Sequence, residues 1–216
     1  MTISLDRLYS IYDPSAWATP ESTVRKNAES TEQALSIETA PQVDPIPFCS
    51  WRKIHRFYRD WEITEKIDGT NGVVYVTAEG RVLAGSRNRW LSESRDNHGF
   101  WRWSQENAEA LALLGEGYHW GEWWGQGIQR RYGMPEKAFS LFDTTLNATG
   151  VCSVVPVLHH GPFTEDILQS VCAKLRSGGS VAAPGWLSPE GVVLRHCPSG
   201  TLFKYTFDGD GNKGSQ

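Results

Sequence analysis

Lys66 sits in the octet EKIDGTNG (residues 65–72), with the carboxylates Glu65 and Asp68 close by and glycines at 69 and 72. Two readings fit this stretch. Asp-Gly and Asn-Gly are common turn signals because both tolerate positive φ. The apolar flanks, WEIT before and VVYV after, would then be two strands of a hairpin. The same residues also suit a nucleophilic lysine held in a tight turn beside a nucleotide, since glycines let backbone amides approach a ligand closely. A free lysine amine has a pKa of about 10.4 and is almost wholly protonated at neutral pH. It becomes a nucleophile when desolvated or set near positive charge. The octet by itself leaves both readings open.

Further polar residues interrupt apolar runs downstream, in a fixed order: Arg87 in SRNR, Glu122 in GEWWG, Phe142 and Asp143 in FSLFD, Glu190 in EGVVL and Lys204 in LFKYTF. Each short motif is weak alone. Together with Lys66, Asp68 and Gly69, the series over residues 48–207 resembles the covalent nucleotidyltransferases, which comprise ATP-dependent RNA and DNA ligases and mRNA capping enzymes. It looks most like the small phage-type proteins of the RNA ligase domain family.

That resemblance implies a chemistry for each position. Lys66 would attack the α-phosphate of ATP and form a phosphoramidate, with Lys204 and a divalent metal (Mg²⁺ or Mn²⁺) offsetting the nearby carboxylates. Glu65, Ile67, Asp68, Gly69 and Asn71 would line the nucleotide, with Glu65 reading the adenine amino group. Arg87 would touch phosphate or ribose. Glu122 would accept from ribose hydroxyls, and Phe142 would stack on adenine, Phe139 being the alternative if strand parity runs the other way. Glu190 would hold the metal, a hard cation suited to a carboxylate. Family members often carry a second lysine two residues after the position of Lys204; Thr206 stands there, leaving Lys213 or Arg195 to assist the leaving pyrophosphate. Asn71 stands where capping enzymes place arginine, which favours a ligase acting on RNA with 5′-phosphate and 3′-hydroxyl ends. The alternatives are a small DNA ligase, a degenerate nucleotide- or nucleic-acid-binding module, and GTP-dependent capping-type transfer.

The elements that must hold these residues are mostly strands. WEITEK, NGVVYVTA and RVLAGSR read as an antiparallel meander, and GYHWGEWWG and KAFSLFDTTLN as further strands. EGVVLRH and TLFKYTF form a terminal hairpin through CPSG. Residues 96–114 read as one helix stopped by Gly115. TEDILQSVCAKLRSGG is the clearest helix: Thr164 caps it, Ile167, Leu168, Val171 and Leu175 form its apolar face, and Gly178 stops it. The expected class is α+β: antiparallel β-sheets flanked by helices, an ATP-grasp-like nucleotidyltransferase core without an appended OB domain. Residues 1–46 read as a weakly ordered or docked extension, 47–208 as the ligase domain and 209–216 as a polar tail. A protein partner is the expected substitute for the missing C-terminal domain.

A chain of 216 residues fits one such domain. Its formal net charge of -4 does not advertise nucleic-acid binding, but local basic strips do. Arg52, Lys53 and Arg56 fall in WRKIHRFYRD, and Arg130 and Arg131 in GIQRRYG, both interleaved with aromatics suited to stacking on bases. These five residues are the expected nucleic-acid contacts. The four cysteines are scattered without a C-x-x-C pair, which argues for buried free thiols over a zinc site or a disulfide framework. With no apolar run of about 20 residues and no basic leader before an apolar segment, the chain is expected to be cytoplasmic, without a membrane partner.

Overall fold

The computed structural model describes residues 9–10, 49–147 and 149–208. The 1–46 extension, apart from one two-residue strand, and Lys213 lie outside the described residues. The elements are β1 (Tyr9–Ser10), β2 (Asp60–Lys66), β3 (Thr70–Val76), β4 (Val82–Ser86), α1 (Phe100–Glu106), α2 (Ala108–Ala112), β5 (Gly117–Gly125), β6 (Lys137–Leu141), β7 (Ser153–Val154), β8 (Val157–Pro162), α3 (Glu165–Gly178), β9 (Gly191–His196) and β10 (Leu202–Thr206). They form two sheets, in the orders β1-β10-β9-β2-β8 and β4-β3-β5-β6-β7. Every pairing is antiparallel except β6 with β7. The class is α+β, as expected.

The hairpin reading of the octet is overturned. β2 pairs with β8 and β9, and β3 pairs with β4 and β5, in a different sheet. Residues 67–69 therefore carry the chain from one sheet to the other, and the meander starts only at β3. The burial of β2 explains this: Trp61, Glu62, Ile63, Thr64 and Glu65 are all buried, the mark of a central strand covered on both faces. Two turn-like dipeptides cannot outweigh that burial.

Each sheet packs a helical layer on one face. Trp61, Ile63, Val192, Leu194 and Tyr205 of the first sheet meet Leu168, Val171, Cys172 and Leu175 of α3. Val74, Val76, Ala84, Trp123, Phe139 and Leu141 of the second meet Phe100 of α1 and Leu111 of α2. A third cluster of Ile67, Trp124, Tyr132, Val155 and Ala183 draws on both sheets and their connections. Trp123 and Trp124, adjacent on β5, point to opposite faces as strand parity requires.

Helix α3 runs as read, with Thr164 Oγ1 accepting from the Ile167 amide at 3.2 Å. The expected single helix over 96–114 is instead two short ones. Asn107 separates them with φ −111°, and its side-chain amide donates to the Trp103 carbonyl at 2.8 Å. Asparagine commonly offers the backbone such an alternative partner. The expectation of buried thiols holds for Cys152 and Cys172 and fails for Cys49, which is exposed; Cys197 is half-buried. Burial pushes the Cys172 thiol up to about 11, so it is inert. Among the described residues no helix is long and apolar enough to cross a membrane.

Candidate active site in the cleft between the sheets

The faces turned away from the helical layers look across a cleft at each other. On the first sheet this face carries the alternate residues of β2 (Glu62, Thr64, Lys66) and their partners on β9 and β10. Lys66 lies opposite Gly191, which lies opposite Thr206; Thr64 lies opposite Val193, which lies opposite Lys204. Lys204 thus shares the face of Lys66, across β9. On the second sheet Asn71 is paired with Glu122 and Glu122 with Ser140, so all three face the cleft together. The Thr144 hydroxyl donates to Glu62 Oε2 at 2.9 Å and links the two sheets at one side.

Lys66 Nζ donates to Glu190 Oε2 at 2.6 Å, in a pair whose side chains are 23% and 8% exposed. The partners are 124 residues apart in the chain, joined because β9 lies beside β2. Glu122 Oε1 accepts from the Gly69 amide at 2.9 Å. Burial raises the Glu122 carboxyl to about 7; Lys66 and the Gly69 amide oppose the rise, and Glu190 and Asp68 add to it. Three carboxylates (Asp68, Glu122, Glu190) therefore act electrostatically on one another around one amine. Gly69 is required by space: a Cβ there would clash with the Trp123 carbonyl oxygen and come within 2.8 Å of Trp124 Cβ.

Glu65, next to Lys66 on β2, is 1% exposed. Its Oε2 accepts from the amides of Val181 and Ala182 at 2.8 and 2.9 Å. Its Oε1 is buried with no partner. A buried acceptor without a donor costs roughly 1–3 kcal/mol; a ligand amino group reaching this pocket would remove that cost.

The loop between β5 and β6 supplies two contacts to the octet that sequence reasoning missed or misassigned. The Tyr132 hydroxyl accepts from the Asp68 amide at 2.8 Å; burial pushes this phenol well above its usual range, so it stays protonated. Arg130 Nε donates to Asp68 Oδ2 at 3.1 Å, and its Nη2 pairs with Asp208. Arg130, expected to grip a nucleic-acid strand, is here ion-paired with Asp68 and Asp208. Arg131 is exposed, with φ +61°. The only textual signal for Tyr132 is its place between Arg131 and Gly133, in a loop where Gln129, Arg131 and Tyr132 all adopt positive φ.

In the basic strip, Arg52, Lys53 and Arg56 are all exposed. His196 Nε2 is 3.0 Å from the Arg56 carbonyl oxygen, Trp61 Nε1 donates to the Phe57 carbonyl at 3.1 Å, and Phe57 packs on Trp61 and Phe163. Those partners belong to the α3 face of the first sheet, the face opposite that of Lys66. Arg195, offered as a leaving-group cation, is held by Glu62 Oε1 through Nε and Nη2 at 3.3 and 3.1 Å. Phe139 is fully buried against Phe100 and Trp103 and has no face open to a base; Phe142, three residues on and so with the opposite, cleft-facing parity, is 37% exposed. Arg87 is exposed at the end of β4, on the same edge as Asn71.

Among the described residues no three His, Cys, Asp or Glu side chains are arranged to hold a metal by themselves. A hexacoordinate Mg²⁺ or Mn²⁺ held by one or two carboxylates, water and nucleotide phosphate remains compatible with Glu190 and Glu122.

Two packed sheets with a lysine and three carboxylates between them make a fold that solved RNA ligase structures share. An apo mutant of the Naegleria gruberi RNA ligase aligns with a TM-score of 0.53 at 20% identity, over 69% of this chain and 50% of that one. A mutant of the same enzyme with AMP and Mn aligns at 0.53 and 19% identity, over 70% and 51%. Another, with ATP and Mn, aligns at 0.53 and 19%, over 69% and 49%. The chain thus spans about half the length of the structures it matches. No curated protein matches it. The RNA ligase family model matches residues 59–206, and the chain belongs to that family.

Proposed function

We propose that this chain is an ATP-dependent RNA ligase acting through a covalent lysyl-AMP. The observation that carries the reading is Lys66 in the cleft, 2.6 Å from Glu190 and flanked by Glu122 and Asp68. An amine in that position needs a proton acceptor before it can attack, and Glu190 Oε2 is within reach. The unpartnered Glu65 Oε1 fits the exocyclic amino group of adenine, and the N. gruberi enzyme, solved with ATP, AMP and Mn, supports the choice of nucleotide and metal.

In the first step Lys66 Nζ bonds to the α-phosphorus of ATP, the bond to the β-phosphate oxygen breaks, and pyrophosphate leaves. In the second, an oxygen of a 5′-phosphate takes the AMP and frees the amine. In the third, a 3′-hydroxyl attacks that 5′-phosphorus, its proton goes to solvent, and AMP leaves. A divalent cation, when bound, supplies positive charge to the phosphates. Glu122 and Glu190 orient ligand oxygens at the cleft mouth, Phe142 offers an exposed ring to the base, and Lys204 supplies charge from the adjoining strand.

The test is incubation with α-labelled ATP and Mg²⁺ or Mn²⁺, followed by denaturing electrophoresis and intact mass. The expected result is AMP on the wild-type chain, stable to alkali and released by hot acid as a phosphoramidate is, and none on Lys66→Ala. A wild-type chain that never gains the AMP mass overturns the proposal.

A further inference from the structure

The cleft face of the second sheet continues past Glu122 to an aromatic surface. Trp90 bridges to Gly85, Gly85 lies opposite Val73, and Val73 opposite Trp120. One row further out, Leu83 lies opposite Tyr75 and Tyr75 opposite Tyr118. By parity all of these share the face of Asn71 and Glu122. A Cβ on Gly85 would meet Val73 Cγ1 at 2.7 Å and Trp90 Cε3 at 3.3 Å, so the indole lies over the glycine on that face.

The rings form one cluster. Tyr75 and Tyr118 have centroids 4.5 Å apart, and Trp90 stacks near-parallel to Tyr118 at 6.3 Å and 27°. Yet Trp90 is 50% and Tyr118 52% exposed, so about half of each ring system faces water. Around them, residues 79–95 carry four exposed arginines (Arg81, Arg87, Arg89, Arg95) against Glu79 and Glu93, in a chain whose net charge is -4.

We propose that Tyr75, Trp90 and Tyr118 form a stacking platform for unpaired bases of the RNA strand whose end enters the cleft, with the neighbouring arginines holding its phosphates. The inference rests on the ligase reading above. Three observations favour this occupant over a protein or a duplex. Solvent-facing rings beside arginines suit single strands, whose bases offer π-faces and whose backbone offers negative charge. A duplex hides its base faces. The platform is also continuous with the proposed nucleotide site: Tyr118 precedes Glu122 by four residues on one strand, about 14 Å.

The experiment uses the full chain and a 3′-fluorescein-labelled, 5′-phosphorylated oligoribonucleotide without secondary structure, beside a blunt duplex of the same length. Anisotropy gives affinity, and the labelled-ATP adduct gives the first chemical step. The double variant Trp90→Ala/Tyr118→Ala is expected to bind the single strand about tenfold or more weakly, with its adduct rate unchanged. Trp90→Phe/Tyr118→Phe, which keeps the stacking rings, is expected to stay within about threefold of wild type. Wild type is expected to prefer the single strand. Unchanged affinity in the alanine pair, preference for the duplex, or an effect of that pair on self-association alone would each overturn the platform. A wild-type chain that binds the strand through these rings but forms no adduct would leave the platform standing and overturn the ligase chemistry.

Discussion

At the scale of single residues, the site gathers carboxylates around one amine, and burial alters the titration of one of them, Glu122. Its carboxyl keeps its proton up to about 7 in the folded chain, against 4.5 for an ordinary glutamate, because burial penalises its charge more than Lys66 and the Gly69 amide stabilise it. Between those two pH values the folded state holds a proton that the unfolded state has lost. Stability therefore falls as pH rises through that window and is flat below it. Glu122→Gln keeps the acceptor for Gly69 and removes the titration. The difference in unfolding free energy between the two proteins is expected to change by about 2–3 kcal/mol from pH 4.5 to 7, in favour of the variant as pH rises. Urea unfolding at several pH values measures it, and a difference that stays constant would show that Glu122 titrates normally. Much of this scale was legible. The types and order of Lys66, Asp68, Gly69, Glu122 and Glu190 pointed to one site, and the fold brings them together. The pairing of Lys66 with Glu190 was not legible as a contact, because 124 residues separate them and only sheet order joins them. Tyr132 was invisible because a single aromatic beside a glycine carries no pattern. The pairing of Arg130 with Asp68 and Asp208 was not legible either, because a charge in sequence does not reveal its partner.

At the scale of elements, local signals succeeded where the outcome is decided locally. α3 shows its cap and its stripe in sequence, and the structure matches both; the stop falls one residue later than read, with Gly178 still helical and Gly179 capping the end at φ +83°. Thr164→Ala is expected to cost about 1 kcal/mol, since the Ile167 amide loses its acceptor, and Thr164→Ser much less. Equal stability of all three proteins in urea would remove the cap from the account. Local signals failed where the decision is global. The octet carries two turn dipeptides and still crosses between sheets, because the burial of β2 depends on β8 and β9, which arrive about 90 and 130 residues later. β7 and β8 were missed for the related reason that VVPVLHHGP is interrupted by proline and glycine. These short strands pair at sheet edges, where such residues are tolerated. Asn107 broke the expected helix by bonding to the turn behind it.

At the scale of the whole molecule, the cleft exists only because two separately cored sheets are held at a fixed spacing. The crossover at residues 67–69 joins the strand of the nucleophile to the second sheet, and Ile67 anchors it in the shared cluster with Trp124, Tyr132 and Val155. Ile63, on the same strand, is buried instead in the core of one sheet with α3. Truncating either to alanine removes a buried side chain and is expected to cost about 2–5 kcal/mol. The two losses differ in what they move. Ile63→Ala leaves a cavity within one layer, whereas Ile67→Ala loosens the register between Lys66 on one sheet and Glu122 on the other. A displacement of about 1 Å at a reacting centre lowers rates by about a hundredfold. At a temperature where circular dichroism shows both variants folded, Ile67→Ala is therefore expected to form the AMP adduct at least tenfold more slowly than Ile63→Ala, although their stabilities are similar. If adduct rates instead track stability alone, the spacing of the sheets is not what positions the lysine, and the geometry must be set within the first sheet by Glu190.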